Sequence, residues 1–132
     1  MQNTKPLIAA AFFCEKIQLE KDDVASIVRI IDKIYVPRER PDDAMIQVTM
    51  FAGVKSGALK GKGEMSFVAR GPSLEDGRTI GPFPVLLNGD EHGAQFNLQF
   101  AVPTKLGLYW FDVMWNEELL TSVPLRLAET EE

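Results

Sequence analysis

Very few side chains in this sequence could carry reaction chemistry. There is one histidine, His92, and one cysteine, Cys14. His92 falls in Asn88-Gly-Asp-Glu-His-Gly93, a turn cluster. Nucleophilic catalysis needs a nucleophile held within hydrogen-bond reach of a base that is itself oriented, and no such set can be named around it. His92 therefore reads as a solvated loop residue. Cys14 shares strand parity with Ala10 and Phe12, where a thiol is expected to be buried and inert. One histidine and one cysteine are too few for zinc. No Gly-x-Ser-x-Gly, P-loop or Gly-x-Gly-x-x-Gly segment is present. The expectation is a protein that is not an enzyme and carries no cofactor.

Calcium is the metal with the better case. If every strand runs antiparallel to its sequence neighbours, alternate loops gather at the same end of the domain. One end then collects residues 20–23, 55–61, 88–93 and 116–118, with a formal charge of −4. Asp22, Asp23, Asp90 and Glu91 are its candidate oxygen ligands, and the ion takes six to eight oxygens. Lys21, Lys55 and Lys60 would share that end and oppose a dication. A solvated acidic rim is the plainer reading.

A flat binding face is the other candidate. Pairing Val102 with Gly107 sets Gln99 opposite Trp110, Asn97 opposite Asp112 and Gln95 opposite Met114. The outward face then carries Gln95, Asn97, Gln99, Leu108, Trp110, Asp112, Met114, Leu120 and Ser122. Amides beside an exposed indole can stack on a sugar ring or form the centre of a protein interface. Cover of Trp110 by a loop, a terminus or a second copy of the chain is the plainer reading.

The elements that must position these residues are strands. Apolar segments of about seven to thirteen residues are punctuated by Gly, Pro, Asn and Asp, the pattern of a sandwich or barrel. The first, 7–19, puts Ile8, Ala10, Phe12 and Cys14 on one parity and Ile17 and Leu19 on the other, so a bulge is expected near Glu15-Lys16. Residues 24–36 match both a helical stripe with Asp23 as N-cap and a strand face. Their β-branched content favours the strand. Strands at 45–54, 63–69, 80–87 and 94–102 are separated by turns at 55–61, 71–77 and 88–93. Pro82 and Pro84 confine 80–87 to a sheet edge, and Pro124 marks an edge in the last strand. The closing hairpin, 107–127, keeps Tyr109, Phe111, Val113, Trp115, Val123, Leu125 and Leu127 inward. A three-residue turn, 116–118, preserves that parity.

The expected fold is thus a single all-β, antiparallel sandwich of about eight strands over 7–127, without a major helix. Residues 1–6 and the acidic tail 128–132 are expected to be flexible. At 132 residues the chain can bury a core without staples. The net charge of −5 and the lack of a basic run argue against nucleic acid and anionic membranes. No apolar run is long enough to span a bilayer, and no signal peptide is recognisable. A lone cysteine suits a reducing compartment, so the cytoplasm is expected. The remaining partner classes are protein, including a second copy of the chain, and an unspecified small ligand.

Several segments together resemble a bacterial family of uncharacterised small β-sandwich proteins, a domain of unknown function. They are Ala11-Phe-Phe-Cys-Glu15, Ile30-Ile-Asp-Lys-Ile34 with Pro37, Gly107-Leu-Tyr-Trp-Phe-Asp-Val113 and Val123-Pro-Leu-Arg-Leu127. The resemblance spans nearly the whole chain and implies a C2-like or immunoglobulin-like sandwich. It implies no catalytic residues.

Overall fold

A computed structural model describes residues 5–22, 24–72 and 74–130; the side chains of 74–76 lie outside that description. The described residues form β-strands, turns and bends, with no helix among them. Seven strands follow in order: β1 (Leu7–Leu19), β2 (Ala25–Ile31), β3 (Lys33–Val36), β4 (Met45–Gly71), β5 (Leu74–Pro103), β6 (Gly107–Trp115) and β7 (Glu118–Glu129). The chain is all-β, as expected.

The strand count differs because β4 and β5 are each one long strand. The stretches 55–61 and 88–93 do not reverse the chain. They face each other as bends in a single hairpin, through the pairs Lys55↔Gly93, Gly57↔Asp90 and Lys60↔Asn88. Register shifts on both sides of Gly57 mark bulges, which bend and twist a strand. Gly57, Gly61, Gly89 and Asp90 all have positive φ here, backbone that glycine adopts freely and Asp tolerates. The chain actually reverses between Gly71 and Leu74, which pair with each other.

One connected sheet results, in the order β2-β1-β4-β6-β7-β3, with β5 along β4. The first part of β4 lies between β1 and the last part of β5. Its second part lies between β6 and the first part of β5. The two halves so formed share one core. Phe13 of β1 meets Phe111 of β6 edge-on at 4.7 Å, and Phe100 of β5 lies 5.2 Å from Phe111. Phe67, Phe83 and Phe96 form a second aromatic group in that core, with centroids 5.5–6.3 Å apart. Phe13, Phe67 and Phe111 are fully buried, and each stabilises the fold by roughly 1.5–3 kcal/mol; Phe83, Phe96 and Phe100 are partly buried against them.

The inward set of the closing hairpin is the one expected: Tyr109, Phe111, Val113, Trp115, Val123, Leu125 and Leu127 are all buried. The turn is not. It has two residues, Asn116 and Glu117, with Trp115 paired to Glu118. Both have positive φ, 45° and 68°, the mark of the tight turns that suit strand twist. A register shift between Val113 and Met114 then restores the parity that such a turn alone would break. Asn116 is pinned to β4. Its Oδ1 accepts from the Glu64 N–H at 2.8 Å, and its own N–H donates to the Glu64 carbonyl at 2.9 Å.

Within 24–36 the chain forms two strands, β2 and β3, as the β-branched content indicated, but they serve two places. β2 pairs antiparallel with β1, whereas β3 runs parallel to β7 through Ile34↔Leu127 and Val36↔Glu129. In β1 the parity switch comes earlier than expected. The shift against β4 lies between Ile8 and Ala10, so Phe13, not Phe12, is the core residue, at 1% exposure. At the chain end, Ala128 and Glu129 belong to β7, and Thr130 donates its N–H to the Val36 carbonyl. The tail expected to be loose from 128 is therefore paired as far as residue 130.

Candidate functional site

The alternation of β6 sends Leu108, Trp110, Asp112 and Met114 away from the core, and each is half-buried. The neighbours that share their face come from β4 and β7. Trp110 stands between Arg70 and Pro124, Asp112 between Val68 and Ser122, and Met114 opposite Ser66 and Leu119. Asp112 is the polar centre. Arg70 donates from Nε to Asp112 Oδ2 at 2.8 Å and from Nη2 to Oδ1 at 3.0 Å, while Ser122 Oγ donates to Oδ1 at 2.7 Å. A two-pronged guanidinium–carboxylate pair fixes orientation as well as charge. The hydrogen bonds from Arg70, with a smaller contribution from Ser122, hold the Asp112 carboxyl below its ordinary range against the opposing effect of partial burial. The same pairing raises the already high pKa of Arg70. Beside this cluster a cleft of about 310 Å³ opens between Ser66, Val68, Thr79 and Met114, with Glu64 and Glu117 at its margin.

Gln95, Asn97 and Gln99 are not part of this face. They lie on the last part of β5, opposite Gly53, Phe51 and Thr49 of β4, so the pairing of Val102 with Gly107 does not occur. Adjacency in sequence makes 94–102 the expected neighbour of 107–115. The long β4–β5 hairpin instead carries it to the other half of the sheet. There the amides still flank aromatic rings, but those of Phe51 and Phe12, stacked at 5.4 Å with 20° between planes. Gln47 Nε2 donates to Gln99 Oε1 across the strand pair at 3.0 Å.

The acidic residues do not converge. Asp90 and Glu91 sit in the β5 bend near the Leu7 end of β1, since Leu7 pairs with Lys55 and Lys55 with Gly93. Asp22 follows Leu19, at the other end of that strand. Thirteen residues of β1 separate the two groups by about 40 Å at ~3.3 Å per residue. Asp23 lies outside the described residues. Among the described residues no group of three or more His, Cys, Asp or Glu side chains is placed to hold a metal ion. His92 is exposed, with Nε2 4.0 Å from Glu91 Oε1. Cys14 is buried, and that burial raises its thiol pKa, so the thiol form is favoured.

Arg70 lies one position beyond the segment 63–69 that the sequence suggests as a strand, and so outside the expected face. Its parity with Ser66 and Val68 was the available signal.

No family model matches the sequence, and no curated protein matches it. Among solved structures the chain is similar to an immunoglobulin-like protein from Pseudomonas aeruginosa, at 13% identity and a TM-score of 0.49, over 94% of this chain and 97% of that one. Among the described residues no helix is long and apolar enough to cross a membrane.

Proposed function

We propose that this chain is a non-catalytic interaction module, an immunoglobulin-like sandwich of cytoplasmic location whose β4–β6–β7 face engages a protein. Two features support the sandwich. The halves of the sheet meet through Phe13, Phe100 and Phe111. Tyr109, near the start of β6, donates its hydroxyl to the Lys105 carbonyl at 2.8 Å, the return bond of the tyrosine corner found in such domains.

The observation that carries the binding role is the placement of half-buried Trp110 directly opposite Arg70, itself locked onto Asp112. Trp and Arg are the residues that most often dominate protein interfaces. A guanidinium already held in place loses less freedom on binding, which lowers the cost of association. Half-buried Val68 and Met114, with exposed Leu119 opposite Met114, extend the apolar part of the surface, while Leu120 turns to the core. The amides that would have made this face suit a sugar are on the other half of the sheet, so protein is favoured over carbohydrate here. Affinity capture from host extract with the wild type and with Trp110→Ala, both checked for an intact melting transition, tests the reading. A discrete protein retained by the wild type and lost from the folded variant is expected. Equal retention by both would refute it.

A further inference from the structure

We infer that a cleft between β1 and β4, distinct from the Trp110 face, is a binding site for a small amphipathic monocarboxylate. The cleft exists because two paired strands part company. β1 and β4 are hydrogen-bonded from Leu7↔Lys55 to Cys14↔Thr49 and no further. Beyond that point β1 continues toward Leu19 on β2, while Met45 to Val48 stay with β5. The gap has a volume of about 370 Å³, within the size range of small-molecule sites. Ile31 and Lys33, on either side of the β2–β3 junction, help to line it.

Its lining is divided by chemistry. Ile31, Ile34, Ile46 and Val48 supply apolar wall, and the three isoleucines also pack against the core. Polar groups gather at the exposed rim, where Arg29 and Lys33 bring positive charge and Glu15 negative. Arg29 Nη1 is paired with Glu15 Oε1 at 2.9 Å, which leaves Lys33 as the cation whose charge no lining carboxylate balances. Its Nζ stands 5.8 Å from the Tyr35 ring centroid. One surplus positive charge above an apolar slot suits one negative charge on an apolar body. Arg29 also holds a φ of 49° inside a strand, a conformation costly for a long side chain and one that clusters at ligand clamps.

The test uses octanoate as probe, 1-octanol as its uncharged counterpart, and ¹⁵N-labelled full-length protein. Octanoate should shift the amide signals of residues 13–15, 29–35 and 46–49 saturably. Lys33→Gln should weaken octanoate by about fivefold, the size of one partly exposed charge contact, and leave octanol unchanged. Lys33 is exposed, so the variant should fold, and its spectrum checks this directly. Absence of saturable shifts, shifts mapping elsewhere, or equal octanoate affinity in the variant would each overturn the proposal.

Discussion

Arg70 grips Asp112 with two nitrogens, at 2.8 and 3.0 Å, across the β4–β6 pair, and Ser122 of β7 closes on the same carboxylate at 2.7 Å. Three strands are thereby tied together on the side of the sheet away from the core, next to Trp110. The sign of the resulting pH dependence follows from the lowered pKa of Asp112. As pH falls, the unfolded carboxyl takes up its proton first, near its ordinary value of about 4. The pair's contribution is therefore whole above about pH 5 and fades as pH falls through the carboxylate range and below. Melting temperatures of the wild type and Asp112→Asn should differ most near neutrality and draw together as pH falls through the carboxylate range. A gap that stays constant over that range would show that Asp112 does not titrate in this way.

The two tryptophans of the closing hairpin should behave as opposites. Trp115 is 2% exposed, and its indole occupies the space a Cβ on Gly63 would need. Trp115→Ala should cost about 3–5 kcal/mol by chemical denaturation. Gly63→Ala, which forces that ring aside, should cost about 1–3 kcal/mol. Trp110→Ala should cost less than about 1.5 kcal/mol, because its ring faces out of the core. A loss at Trp110 as large as that at Trp115 would make it a packing residue and remove the binding face.

The Asn116-Glu117 turn carries a built-in cost. Glu117 holds a φ of 68°, which glycine adopts without strain. Glu117→Gly should raise stability by about 0.5–1 kcal/mol. Asn116→Ala should lower it by about 1–2 kcal/mol, since it removes both a residue that tolerates positive φ and the acceptor for the Glu64 N–H. Equilibrium unfolding in urea reads both, and a stabilising Asn116→Ala would contradict the turn geometry.

Millimolar calcium should leave the melting temperature unchanged. Anything that binds only the folded state raises it by linkage, but Asp22 is separated from Asp90 and Glu91 by the length of β1. A rise saturating with calcium and abolished by Asp90→Asn would show that the β5 bend holds the ion without Asp22.

Much of the fold was legible because period-two alternation carries it directly. Tyr109 to Trp115 and Phe96 to Val102 declare one inward face each, and their burial follows that pattern. What alternation cannot report is which strands are neighbours. Gly57, Gly61 and Gly89 look the same in sequence whether they reverse a chain or only bend it. Reading them as reversals separated β4 and β5 into four strands, joined the amides to Trp110 and gathered Asp22 with Asp90. Bulges were the second source of error, since the shifts at Ile8/Ala10 and Val113/Met114 exchange faces with no obligatory residue type to announce them. Trp110, Asp112 and Met114 do share one outward face, because they lie within one strand and their parity needs no knowledge of topology. Ser122, on the adjoining strand β7, belongs to the expected face, whereas Arg70, which completes it, comes from β4, distant in sequence.

Contact with a protein partner is expected at the Trp110 face and not at the half of the sheet that carries Gln99. A photo-cross-linking residue placed at Leu108, beside Trp110, and separately at Gln99, on the other half of the sheet, tests this inside the native host. A discrete adduct from position 108 that disappears when Trp110→Ala is added, and none of that identity from position 99, is the expected result. Adducts from position 99 alone, or a position-108 adduct indifferent to Trp110, would contradict it.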